Sequence, residues 1–285
     1  MNHEQTENPH SQTLTASPVD FDHPLAAHIR REIVRASSDF QMIEDGDRIL
    51  VCVSGGKDST IVLALLTEIK RRAALNFDLE AIILDQKQPG FDVVAFKSFI
   101  EFLGVKLTVL ERDTYSIVTD KIQDGTFCSL CSRLRRAILY DYAFENGFTK
   151  MVLGHHRDDL IETTLLNLFY SGNVASMPPK LRSDDGRNVI IRPLAYVPEK
   201  QLIELSQIWK FPVIPCNLCG SQDGMKRKRM KILIKNLEKE IPNLGSTFIT
   251  ALSNIKPSQL LDQKLWNFKD LKGQTQKMLE HQDES

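Results

Sequence analysis

The chain of 285 residues carries 36 Lys and Arg against 37 Asp and Glu, a formal net charge of -1. That balance excludes a globally basic or acidic protein, so only local charge clusters carry information about partners. With 42% hydrophobic residues there is material for a substantial core, and no apolar run approaches the ~18 residues of a membrane span.

The N-terminus lacks the charged-then-apolar pattern of a secretory signal. The expectation is a cytoplasmic protein without membrane contact, in conditions where structural disulfides do not persist. Residues 1–24 are polar, rich in Asn, Gln, Ser and Thr, without periodicity, and read as a disordered lead. From Leu25 to Phe40 the apolar positions Leu25, Ile29, Ile33 and Ala36 have helical spacing. Glu44 to Asp47 reads as a turn. Ile49 to Val53 is apolar and β-branched, the pattern of a buried strand. It runs into Ser54-Gly55-Gly56-Lys57-Asp58-Ser59, and a helix continues to Lys70 with apolar residues all round.

Gly55 and Gly56 allow a tight bend and close approach of a ligand. The free N–H groups and the positive end of the dipole at the helix start suit phosphate oxygens. The stretch is neither G-x-x-x-x-G-K-[ST] nor G-x-G-x-x-G. It matches S-G-G-x-D-S, the PP-loop of the ATP pyrophosphatases, which cleave ATP between its α and β phosphates and adenylate a substrate. In this reading the loop amides, Ser54 and Ser59 hold pyrophosphate, Asp58 helps hold Mg²⁺, and Lys57 adds a point charge.

A second strand is expected at Leu79–Leu84, ending in the loop Asp85-Gln-Lys-Gln-Pro-Gly90. A helix to about Leu103 and a third strand at Lys106–Leu110 follow. Met151–Gly154 reads as a short fourth strand, opening into His155-His-Arg-Asp-Asp159 and a long helix to Phe169. Val189–Arg192 is the fifth strand, and Pro198 suits the first position of a helix over Glu199–Trp209. Strands alternating with helices predict an α/β fold with a doubly wound, parallel, five-stranded sheet, an N-terminal helix and a C-terminal helical part. Ligands of such sheets bind at the carboxyl ends of the strands. Asp85 and Gly154 lie there as candidate nucleotide contacts. Asp158 and Asp159 are candidate caps, or candidates for metal or base work. His155 and His156 read as supporting or substrate-facing.

Cys52 lies inside the first strand as an inert core residue. The other cysteines form two C-x-x-C pairs, Cys128 with Cys131 and Cys216 with Cys219, separated by far more than the ~15–20 residues of a zinc ribbon. Spacing leaves three readings open: a closed Cys₄ zinc site, an iron–sulfur cluster, and redox-active or buried thiols. Arg133, Arg135 and Arg136 adjoin the first pair, and Met225-Lys-Arg-Lys-Arg-Met-Lys231 follows the second. Two basic runs beside two cysteine pairs favour a nucleic acid, bound mostly through phosphate. The expected organisation is a lead over 1–24, a PP-loop ATPase domain with the cysteine site over 25–222, a basic helical part over 223–268 and a polar tail over 269–285.

Six stretches together carry a resemblance. They are Asp85–Phe91, Cys128–Arg136, Gly154–Asp159, Met177–Leu181, Ile191–Tyr196 and Pro215–Gln222. From about residue 25 to 270 the chain resembles the 2-thiocytidine-forming branch of the PP-loop tRNA-thiolating enzymes. The resemblance implies ATP- and Mg²⁺-dependent replacement of the C2 oxygen of cytidine by sulfur at anticodon-loop position 32. It implies adenylation of the base, then attack by sulfide carried on the open iron of a 4Fe-4S cluster held by three cysteines: Cys128, Cys131 and one of the second pair, Cys219 being favoured over Cys216. Asp58 and Asp159 would do metal or base work and Arg135 would steady developing charge. A cysteine desulfurase as sulfur donor and a homodimer are implied as well. The competing expectations are another PP-loop tRNA ligase or amidase with a structural zinc site, and a zinc-stabilised RNA-binding protein without activity.

Overall fold

In the computed structural model the described residues are 19–87, 91–116, 127–214 and 222–271, with the side chains of 127–129 and 222–224 excepted. The first element, α1 (Pro24–Asp39), begins behind His23, whose side chain accepts the Leu25 N–H, and buries Ala26, Ile29, Ile33 and Ala36. The apolar stripe read from the sequence is the face that packs. A turn then brings Asp47 and Glu44 to the buried Lys150 ammonium at 2.8 and 2.7 Å.

Strand β1 (Arg48–Val53) is buried from Ile49 onward. Helix α2 (Lys57–Arg72), β2 (Asp78–Asp85), α3 (Val94–Phe102), β3 (Lys106–Glu111) and α4 (Phe127–Glu145) follow in order. After them come β4 (Lys150–Leu153), α5 (Arg157–Leu166), β5 (Lys180–Arg182), β6 (Val189–Ile191), α6 (Glu199–Trp209), α7 (Gln222–Glu240) and α8 (Leu244–Leu252). The strands form one sheet in the order β3-β2-β1-β4-β6-β5. All neighbouring pairs are parallel except β5 with β6.

Alternation along β1 divides the core. Ile49, Val51 and Val53 point with Ala81 and Ile83 toward one cluster, which holds the buried sides of α1, α2, α3 and α6. Leu50, Cys52, Ile82 and Leu84 point the other way, against Leu139, Ala143, Phe148 and Met151. Helices on both faces explain why the strands are continuous apolar runs and not alternating ones. Trp209 closes the first cluster edge-on to Phe21 at 5.8 Å and donates its indole N–H to the Asp20 carbonyl at 3.2 Å.

The doubly wound α/β expectation holds, with three differences. The sheet has a sixth strand, β5, antiparallel at the edge. Its three residues, Lys180-Leu181-Arg182, contain no apolar run, so its pairing comes from the turn through Gly186. The long helix after β4 ends its α-helical part at Leu166 and widens into a π-helical turn at Asn167–Ser171, closed by left-handed Gly172. Pro198 stands outside α6 as its cap, in extended conformation. The chain divides into two compact units, Met1–Gly245 and Ser246–Ser285. The second holds the remainder of α8 and a 3-10 turn at Pro257–Gln259. No helix among the described residues is long and apolar enough to cross a membrane.

Candidate active site

The loop between β1 and α2 is held open by its own hydroxyls. Ser59 Oγ accepts the Ser54 N–H at 3.1 Å, Ser54 Oγ accepts the Gly56 N–H at 3.3 Å, and the two hydroxyls lie 3.3 Å apart. Gly55 has φ +77°, and a Cβ there would fall 2.6 Å from the Ile214 side chain, whose N–H donates to the Gly55 carbonyl. Gly56 caps α2 without a side-chain hydrogen bond, so the helix start keeps donors for a phosphate. Asp58 Oδ1 is buried and has no hydrogen-bond partner among the described residues. A buried carboxylate oxygen without a partner fits a cation such as Mg²⁺.

β4 ends against this loop. A Cβ on Gly154 would stand 2.8 Å from the Ser59 nitrogen, so this position must be glycine for the two backbones to touch. Beyond it, His156 caps α5 in a reciprocal box: its ring accepts the Asp159 N–H and Asp159 Oδ2 accepts the His156 N–H at 3.0 Å. Asp158 accepts the Glu199 N–H at 2.7 Å and so fixes the start of α6. His155 accepts from the Arg192 guanidinium at 3.2 Å. Burial, with Arg192 beside it, pushes its pKa down to about 4, so the ring stays neutral.

Helix α7 reaches the same place. Lys231 Nζ lies 2.5 Å from Glu199 Oε2, and Glu199 Oε1 lies 3.5 Å from Lys57 Nζ, which also contacts Asp58 at 3.1 Å. Arg227 approaches Asp159 at 3.5 Å and Glu162 at 3.8 Å. Glu162 is buried, and loss of water together with the Asp159 charge pushes its pKa up to about 7. Residues 25–212 match the family model described as a PP-loop domain. The chain belongs to the PP-loop family.

Its relatives narrow the group. It is 64% identical over 256 residues to the tRNA-cytidine(32) 2-sulfurtransferase of Bdellovibrio bacteriovorus, covering 90% of this chain and 99% of that one. To the enzyme of the same name from Tolumonas auensis it is 50% identical over 261 residues, 91% of this chain and 86% of that one. It is thus a PP-loop protein of the tRNA-cytidine(32) 2-sulfurtransferase group. The fold is shared with the U34-tRNA thiolase NcsA from Methanococcus maripaludis, solved with its 4Fe-4S cluster. That likeness has TM-score 0.66 and 21% identity, covering 82% of this chain and 80% of that one.

On the PP-loop sheet, β2 is the parallel neighbour of β1, so its carboxyl end opens on the same edge. Asp85 there accepts the Lys87 N–H at 2.7 Å and forms a turn, with its second oxygen 3.2 Å from Lys87 Nζ. The residue that the sequence reading passed over is Gln86. Its amide, 4% exposed, donates to Thr114 at 2.8 Å and to Cys131 Sγ at 3.2 Å, while its oxygen accepts from Arg135 at 3.0 Å. Arg135 therefore reaches a buried amide. A polar residue among Asp85-Gln-Lys-Gln, directly after an apolar strand, was the available signal. Cys131 is half-buried on α4, one turn after position 128. The Cys128 side chain, Cys216 and Cys219 lie outside the described residues.

Proposed function

We propose that this protein replaces the C2 oxygen of cytidine 32 in tRNA by sulfur at the expense of ATP. The observation that carries the reading is the neighbourhood of β1 and β2: one ends in a phosphate cradle, the other in Gln86, which holds the Cys131 sulfur. An adenylating site and a sulfur-handling site thus share one edge of the sheet. The curated relatives, matched over nearly their whole length, bear the name of that reaction.

The loop amides with Ser54, Gly55, Gly56, Lys57 and Ser59 bind the β and γ phosphates, and Asp58 holds Mg²⁺ through its unpartnered oxygen. The cytosine C2 oxygen attacks the α-phosphorus and pyrophosphate departs. That converts a poor leaving oxygen into AMP, a good leaving group. A sulfur nucleophile then adds at C2 and AMP leaves. Asp159, whose Oδ1 faces the Arg227 guanidinium at 3.5 Å, is assigned metal or base work. Gly154 keeps its strand end against the loop, and Asp85 shapes the turn that carries Gln86. Arg135 orients Gln86 toward the sulfur. Cys128, Cys131 and Cys219 would hold a 4Fe-4S cluster, which when bound supplies an open iron for inorganic sulfide. What supports this reading is Cys131, whose sulfur already receives a buried amide N–H from Gln86.

The reading places the catalytic part in residues 25–222 and a basic, RNA-facing part in 223–268, between a polar lead and tail. It includes a cysteine desulfurase as donor, a homodimer and a cytoplasmic location. The test is anaerobic purification with iron, acid-labile sulfide and zinc measured per chain, then mass spectrometry of nucleosides from tRNA incubated with ATP. About four irons and four sulfides, with 2-thiocytidine formed, are expected. Asp58→Ala and Cys131→Ala should each abolish product, by ~10³-fold or more, while the circular dichroism melt stays unchanged. Stoichiometric zinc without iron would sink the cluster and favour another PP-loop tRNA ligase or amidase.

A further inference from the structure

The π-helical turn Asn167–Ser171 presents three consecutive apolar side chains to solvent: Leu168 is 45%, Phe169 56% and Tyr170 47% exposed. Wide turns of this kind inside α-helices are frequent at functional sites, and contiguous exposed apolar surface marks a contact site. Helix α7 packs along α5, with Met230 and Ile234 buried on it and a 3.4 Å hydrogen bond from Arg227 to Thr163. This places the basic run of α7 beside the turn. Lys226 Nζ stands 5.2 Å over the centroid of the Tyr170 ring, and Lys228 and Arg229 are exposed on the same helix.

Aromatic faces flanked by cations are the chemistry that takes unpaired nucleobases: rings stack on bases, and the cations meet the phosphates between them. A second copy of this chain is the poorer occupant. A two-fold contact through this face would set the Lys226–Arg229 cations against their own equivalents. We propose that Phe169 and Tyr170 form a stacking platform for unpaired bases of the RNA substrate, with Lys226, Lys228 and Arg229 neutralising its backbone. This rests on the reading of the protein as a tRNA enzyme and names where on its surface the single-stranded loop lies.

The test measures binding of the full chain to an unmodified anticodon stem-loop RNA across a salt series, without ATP. Phe169→Ala/Tyr170→Ala should weaken binding about tenfold or more, with the slope of log K against log salt unchanged. Phe169→Leu/Tyr170→Leu keeps apolar bulk, guards against a folding artefact and should weaken it equally. Replacing Lys226, Lys228 and Arg229 by alanine should lower the slope by about 2. Affinity unchanged in both aromatic variants overturns the platform. So does restoration of binding by leucine, or a sedimentation shift to monomer with RNA affinity retained, which would assign the face to a protein partner. Failure of the wild type to form 2-thiocytidine, read separately on nucleosides, would defeat the thiolation reading without touching the binding result.

Discussion

At the scale of single residues the site is set by places where one atom more or less is felt. Gly154→Ala would put a Cβ 2.8 Å from the Ser59 nitrogen and 2.9 Å from its Cα, both backbone atoms that cannot turn aside. The expected cost is about 1–3 kcal/mol of stability, with a larger effect on ATP use, because the start of α2 is displaced; a displacement of about 1 Å can cost on the order of 100-fold in rate. A melt and an ATP titration check this, and a variant with normal ATP dependence would show that the strand end is not what positions the loop. Glu162 offers a pH signature. Its pKa in the folded protein, about 7, lies above the usual 4.5, so the stability it contributes is full below about pH 4.5 and is lost as pH rises through 7. One pKa unit corresponds to about 1.4 kcal/mol, so the loss is on the order of 1 kcal/mol or more. Glu162→Gln should therefore match the wild type at pH 5 and melt ~2–4 °C higher at pH 8. Parallel melting curves at both values would rule out a carboxyl that is neutral in the fold.

Among the elements, those that bury a long apolar face were legible, and those that depend on a neighbour were not. β1 and α2 could be read residue by residue because both are walled in by the core. α1 announced its packed stripe at Ile29, Ile33 and Ala36. β5 could not be read, since Lys180 and Arg182 give it no apolar pattern and its existence is owed to pairing with β6. The π-turn was missed for a related reason: Asn167 to Ser171 contains no Gly or Pro to mark a break, and the widening is a matter of backbone register. The site divided the same way. Ser54 to Ser59 and Gly154 carry local signatures, whereas Gln86 matters because α4 brings Cys131 and Arg135 to it from more than forty residues away. Of the two roles read for His156, supporting or substrate-facing, the structure shows the supporting one: it turns inward as a cap.

For the whole molecule, the informative fact is that helix α7 lies beyond the family match, which ends at residue 212, and still supplies charges to the loop. Glu199 sits between two cations, Lys231 from α7 and Lys57 from the loop. Although burial works against its ionised form, the lysines hold its pKa below the usual range, so it is charged at neutral pH. Lys231→Ala would leave that charge to Lys57 alone, and the phosphates of ATP would then compete with Glu199 for the Lys57 ammonium. The expected result is an ATP KM raised severalfold with kcat much less changed, the pattern of lost ground-state binding. Glu199→Gln frees Lys57 and should leave KM at or below the wild-type value. The two changes share one partner, so the double variant should return KM close to that of Glu199→Gln, a coupling of about 1 kcal/mol in the cycle. Additive effects would mean that Lys231 acts on RNA and not through the loop. In that case α7 serves the tRNA alone, and the ATP site is complete within the matched domain.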